Sequence, residues 1–282
     1  MEKTLDAAYF RSLVDFADVE ARVRRRLSTL RDDGEILRFF MQYASWNGCF
    51  ANGVSALTSL IGNSRELFRE AGFARAVADR SNYVASFFFD AARDEYDDHI
   101  NPQRDSHRCM AQAALICIKD HFGLSESALD EEEPAQLLAI NEGVMTGYTG
   151  RAGGDGTRLA QAFFAMGYHL GSELLADREF SQIDEHLRQH QAALVQRLMR
   201  STVTLAGASH RCYAWVGVHS GHGGGVEADH FDHAVNGARH AFGYLAAGSA
   251  PVAMRALVEG FRAFDADHAG FFAIGAGRTA SS

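Results

Sequence analysis

Glu95, Glu173 and the pair Glu227/His230 stand where helical periodicity calls for an apolar side chain. At about 100° per residue, Glu95 falls in line with Val77, Val84, Phe88 and Ala91/Ala92 on a helix predicted from Phe73 to Asp98. Glu173 shares a stripe with Ala162, Met166 and His169, and the face of His230 continues as Ala234, Gly237 and Ala241. Burying an ionised carboxylate costs on the order of several kcal/mol, comparable to a domain's whole stability margin, unless a cation pairs with it. A chain that does this on three helices either turns those faces to water or gathers them around a positive centre. The repetition favours the second.

The rest of the chain reads as helix too. Three prolines in 282 residues, with 47% hydrophobic side chains, predict an all-α fold, and the length suits one domain. The 20 phenylalanines exceed what a small bundle needs and suggest an interior wide enough for a cavity. Helical segments are predicted over residues 5–30, Glu35–Ile61, Phe73–Asp98, Ser106–Phe122, Pro134–Tyr148, Thr157–Ala176, Phe180–Thr202, Val226–Ala246 and Pro251–Phe272. Ser64 is a plausible cap for a short extra helix, and Tyr213–His219 is a further apolar segment. No strand-rich segment, internal repeat or long heptad run stands out. The expectation is a bundle of about seven to nine helices: N-terminal helices over residues 1–34, the main bundle over 35–274, and a frayed tail at 275–282.

Composition excludes some functions. A net charge of -9 argues against nucleic acid or an anionic membrane as partner and leans weakly toward neutral or cationic small molecules. The longest apolar runs, such as Tyr83–Phe89, fall far short of the roughly 20 residues that span a bilayer. Met1–Asp6 lacks the apolar core of a signal peptide. Cys49, Cys109, Cys117 and Cys212 have no C-x-x-C spacing and read as reduced thiols of a cytoplasmic protein. The glycine runs Gly150–Gly156 and Gly221–Gly225 follow no predicted strand, so neither reads as a phosphate loop.

The strongest local signal is Val226-Glu227-Ala228-Asp229-His230-Phe231-Asp232-His233. An E-x-x-H step puts carboxylate and imidazole on one helix face, as in dinuclear carboxylate bundles. His107 opens a helix on the face of Ala111, Ala114 and Ile118, and His99, four residues after Glu95, competes with it. His169, four before Glu173, is placed to orient it. Blander readings stay open: Glu95 could join a solvated Asp94/Asp97/Asp98 cluster, Glu173 could pair with Arg178, and His107 could be a satisfied core histidine. Carboxylate and imidazole donors without cysteine suit non-haem iron, or equally manganese, better than structural zinc or an iron–sulfur cluster.

These segments resemble the haem-oxygenase-like diiron oxidases and oxygenases, relatives of the TenA and PqqC bundles. The likeness rests on Ala91–Asp97 with His107–Gln112, on Phe163–Phe180 around Glu173, and on Trp215–Ala234. With Phe39–Leu60 resembling the family's auxiliary helices, it covers roughly Glu35 to Phe264. The resemblance implies two irons held by Glu95, His107, Glu173, a histidine, Glu227 and His230, with dioxygen as co-substrate. The family's last core helix usually reads H-x-x-x-[DE]-x-x-H, whereas Gly223 lies four before Glu227 here. His219 is the favoured replacement because Tyr213–Val218 leads to it regularly, with Ser220–Gly225 as an inserted loop; His222 is the alternative. N-oxygenating members carry an extra carboxylate on an auxiliary helix, and Glu66 and Glu70 lie in that region, although each reads equally well as a surface residue.

The implied activity is oxygenation of a small amine or amino acid at nitrogen, for example arginine or a similar cation, in secondary metabolism. Oxidative C–C cleavage or desaturation of an amino or fatty acid is the alternative within the family. A cofactor-independent TenA- or PqqC-like enzyme and a non-catalytic helical module are alternatives outside that chemistry. Phe87–Phe89, Phe163–Phe164 and Trp215 are the expected dry walls. An external electron donor and a homodimer are both compatible with this reading.

Overall fold

The computed structural model describes residues 5–97, 105–153, 156–220 and 226–275, with residues 177 and 226–228 described by backbone alone. In chain order come α1 (Ala7–Arg11), α2 (Phe16–Leu27), α3 (Asp33–Asn47), α4 (Phe50–Gly62), α5 (Arg75–Ala78), α6 (Ser81–Tyr96) and α7 (His107–Phe122). A 3-10 turn at Glu126–Leu129 leads to α8 (Ala135–Tyr148), α9 (Arg158–His190) and α10 (Ala192–Arg200). Strands β1 (Thr202–Leu205) and β2 (Ala208–Arg211) follow, then α11 (Ala214–His219), α12 (Val226–Gly243) and α13 (Ala250–Ala273). Among the described residues, nine of these helices have 12 residues or more, and none is long and apolar enough to cross a membrane.

Local chemistry explains the boundaries. Asp32, Ser106 and Thr157 each accept a backbone N–H of the turn they open. Gly123 ends α7 in the left-handed region, with φ of 66°, and Pro251 sits in the first turn of α13.

Four expectations need correction. The predicted helix from Phe73 to Asp98 is broken: Asp79 accepts the Ser81 backbone N–H at 3.0 Å and its hydroxyl at 2.7 Å, folding the chain between α5 and α6. Val77 therefore leaves the stripe of Glu95 and is exposed. The segments Thr157–Ala176 and Phe180–Thr202 join into one 33-residue helix, α9, because nothing between them breaks a helix; the chain turns only at Gln191. The predicted helix does not reach Thr202, where an antiparallel hairpin begins; its two-residue turn places Ala206 and Gly207 at φ of 51° and 81°, the geometry of a type I′ turn. Ser64 caps no helix but donates back to the Leu60 carbonyl at 2.6 Å.

The centre of the fold is α9. It packs along α13 and also meets α2, α4, α8, α10, α11 and α12, while α6 lies against α4 and α12 and the hairpin covers α7. Two glycines set the α9–α13 spacing. A Cβ on Gly167 would stand 1.8 Å from the Leu257 carbonyl oxygen, and one on Gly260 1.9 Å from that of Phe164. An aromatic core fills the space between α3, α9, α11 and α13, where Trp46 stacks on Phe271 at 4.5 Å and Tyr43 meets both Phe180 and Trp215. Packing of this kind holds side chains in single rotamers. The polar groups it encloses are therefore fixed.

Candidate metal centre

Midway along α9 the buried stripe turns polar. His169 is fully buried and Glu173 is 8% exposed. Their nearest atoms, His169 Nδ1 and Glu173 Oε1, lie 3.3 Å apart. Tyr148 closes the group from α8, its hydroxyl 2.7 Å from Ser172 Oγ and 3.5 Å from His169 Nδ1. Burial pushes the His169 imidazole down to about 3, and His230 adds to that while Glu95 opposes it. His169 is therefore a neutral ring.

His230 reaches the same carboxylate from α12, with Nδ1 3.6 Å from Glu173 Oε2. Its other nitrogen, Nε2, lies 3.0 Å from Asp94 Oδ2 on α6. A carboxylate oxygen accepts, so Nε2 donates to Asp94 and Nδ1 is the nitrogen that faces Glu173. Burial works to raise the Asp94 carboxyl, but the His230 hydrogen bond and the charges of His230 and Arg93 hold it below its ordinary value. One residue on, Glu95 Oε2 lies 3.2 Å from His107 Nδ1. The His107 ring is 4.5 Å from that of His219. His219 donates from Nδ1 to the Trp215 carbonyl at 2.6 Å and stacks on Phe180 at 4.3 Å.

A small cavity of about 30 Å³ joins the two halves, with Glu95, Glu173 and His219 all on its wall. That is room for a water molecule or a metal ion. Five expected positions thus converge: Glu95 and His107 meet His219 on one side, and Glu173 meets His230 on the other. Glu227 is the second residue of α12, one turn before His230, and its side chain lies outside the described residues, as do His99 and His222. As the side chains stand, no three His, Cys, Asp or Glu among the described residues form a ready-made metal group.

Other expectations resolve differently. Arg178 pairs with Glu20 rather than Glu173. Glu66 is exposed, and Glu70 is engaged by Arg80. Of the expected walls, Phe88 flanks His169 at 5.6 Å, whereas Phe89 faces solvent and Phe87 stacks on His240. Phe163 packs against Phe68 and Phe242.

Three contributors escaped the sequence reading. Asp94 reads in the sequence as part of a solvated acidic run, yet it lies three residues after Ala91 and so flanks the buried seam as Glu95 does at four. Glu179, 2% exposed, lines the same cavity; it accepts the Tyr43 hydroxyl at 2.8 Å and has His268 Nε2 2.9 Å away on α13, outside good hydrogen-bond alignment. Its position seven residues after Ser172 was the available signal. Phe180, next in sequence, supplies the flat face against His219.

The donor chemistry fits a cation. Glu173 Oε2 is buried and takes no hydrogen bond, and His230 Nδ1 lies 3.6 Å from it. A carboxylate oxygen is costly there unless a proton or metal ion lies beside it. The converging donors are hard oxygens and imidazole nitrogens, with no thiolate among them. No family model matches the chain, and no curated protein matches it.

Asp94 sets the ring orientation of His230 without being needed as a donor itself. Were the centre to hold a ferrous ion, Asp94→Asn would weaken its binding by roughly 10–100-fold while leaving the circular dichroism spectrum unchanged. Equal metal affinity in the two proteins would assign Asp94 to packing alone.

Proposed function

We propose that this chain is a non-haem diiron enzyme that uses dioxygen to oxidise a small amine or amino acid at nitrogen. The observation that carries the reading is the buried Glu173 oxygen without a hydrogen bond, 3.6 Å from His230 Nδ1 and sharing a cavity with Glu95 and His219. Glu95, His107, Glu173, His219, Glu227 and His230 would hold the metals. Bound iron would supply the electrons and the open coordination positions that dioxygen requires.

The chain's own part is geometric and electrostatic. Asp94 and the Trp215 carbonyl fix the ring orientations of His230 and His219. Phe50, Phe180 and Phe264 line the cavity and would keep water from the centre. Glu179, tied to Tyr43, holds a further carboxylate at the cavity wall.

Anaerobic titration with ferrous ion tests the reading. About two ions per chain are expected, by analogy with dinuclear carboxylate bundles, followed by oxygen uptake that depends on an added amine. A chain that keeps its helical spectrum and binds no iron would instead be a metal-independent enzyme or a non-catalytic module.

A further inference from the structure

Glu95 also lines a second, larger cavity. A cleft of about 220 Å³ lies between the end of α3 and the start of α7, with Asn47, Glu95, Ser106, His107 and Arg108 among its lining. It is roomy because its backbone-facing walls carry Ala44, Gly48, Ala51 and Ala111. Its size falls below the roughly 300–1,000 Å³ of sites for drug-sized ligands, so it suits a smaller molecule. Ala44 and Arg108 are shared with a wider outer groove of about 400 Å³, rimmed by Glu131, Glu132 and Glu133. Groove, cleft and inner cavity therefore adjoin in series.

Arg108 is the distinctive group on this route. Its Nη1 donates to the Ala44 carbonyl at 2.9 Å, and a Cβ on Gly48 would stand 3.3 Å from that nitrogen. Arg38, the other guanidinium of the groove, is held at both Glu131 oxygens, at 2.7 and 2.8 Å. Among the described residues no carboxylate closes on Arg108. A guanidinium offers five N–H donors in a fork that matches a carboxylate, whereas Glu95 at the inner end and the acidic rim outside both favour a positive charge.

We infer that the cleft binds a zwitterionic amino acid, its carboxylate on Arg108 and its amine-bearing part directed to Glu95. This deepens the proposed function and rests on it for the chemistry, though not for the binding. A simple amine would leave the guanidinium unmatched, and a fatty acid would set its chain against Asn47, Ser106 and Glu95.

The test is calorimetric titration of the metal-free chain with each of the twenty common amino acids, then with the decarboxylated amine of the tightest binder. At least one amino acid is expected to bind, at least tenfold more tightly than its amine. Arg108→Met should abolish that difference and Arg108→Lys restore part of it, with unchanged thermal unfolding because the side chain is exposed. Absence of binding by all twenty, equal affinity for the amine, or full discrimination in Arg108→Met would each overturn the inference. Since no iron is present, a failure of the diiron reading shows separately, in the ferrous titration.

Discussion

Glu173→Gln is expected to lose ferrous ion binding by at least 100-fold and yet make the metal-free protein more stable. The two effects share one cause. The carboxylate is buried, and its Oε2 has no hydrogen-bond donor. An unsatisfied buried polar group costs roughly 1–3 kcal/mol, more when charged. The carboxamide keeps the shape and removes the buried charge. For a chain of this size, each kcal/mol regained corresponds to roughly 2–4 °C in unfolding temperature. Metal-free unfolding and iron analysis of the same samples check both halves. A purely structural Glu173 would show the reverse, with lower stability and unchanged iron content, and that result would remove it from the centre.

Gly260→Ala is expected to be among the most destabilising single methyl additions in the chain. Its Cβ would meet the Phe164 carbonyl oxygen at 1.9 Å, and the reciprocal contact of Gly167 with the Leu257 carbonyl is 1.8 Å. Both obstacles are backbone, so no rotamer change relieves them, and α9 and α13 have to move apart. Overpacking typically costs about 1–3 kcal/mol and occasionally more; rigid helices on both sides place this case at the upper end or beyond. Both substitutions demand the same separation, so the double variant Gly167→Ala/Gly260→Ala should cost clearly less than the sum of the singles. Urea unfolding of the three variants decides it. Additive losses would mean the two contacts relax independently.

Much of the helical frame was legible because periodicity and caps are local signals. Ser106, Gly123 and Pro251 mark boundaries by chemistry that a linear reading can follow. The errors arose where a tertiary partner decided. Asp79 breaks a continuous apolar pattern by bonding Ser81, and the Ala206-Gly207 turn resembles a helix end until the strands pair. At the site, an acid on an apolar seam was enough to single out Glu95 and Glu173. Between Asp94 and Glu95, however, a three- or four-residue step from Ala91 points almost equally inward, and only the placement of His230 separates them. Glu179 stayed hidden because its partners, Tyr43 and His268, are distant in the chain.

The expected donors are unequally anchored. Glu173 lies near the middle of a 33-residue helix, whereas Glu95 is next to last in α6, His107 first in α7, His219 last in α11, and Glu227 and His230 within the opening residues of α12. A terminal turn can tilt or rewind while the body of its helix stays packed; the midpoint of α9 cannot move without its neighbours. Recruitment of a cation should therefore proceed from one stationary carboxylate outward, with four helix tips drawn in around it.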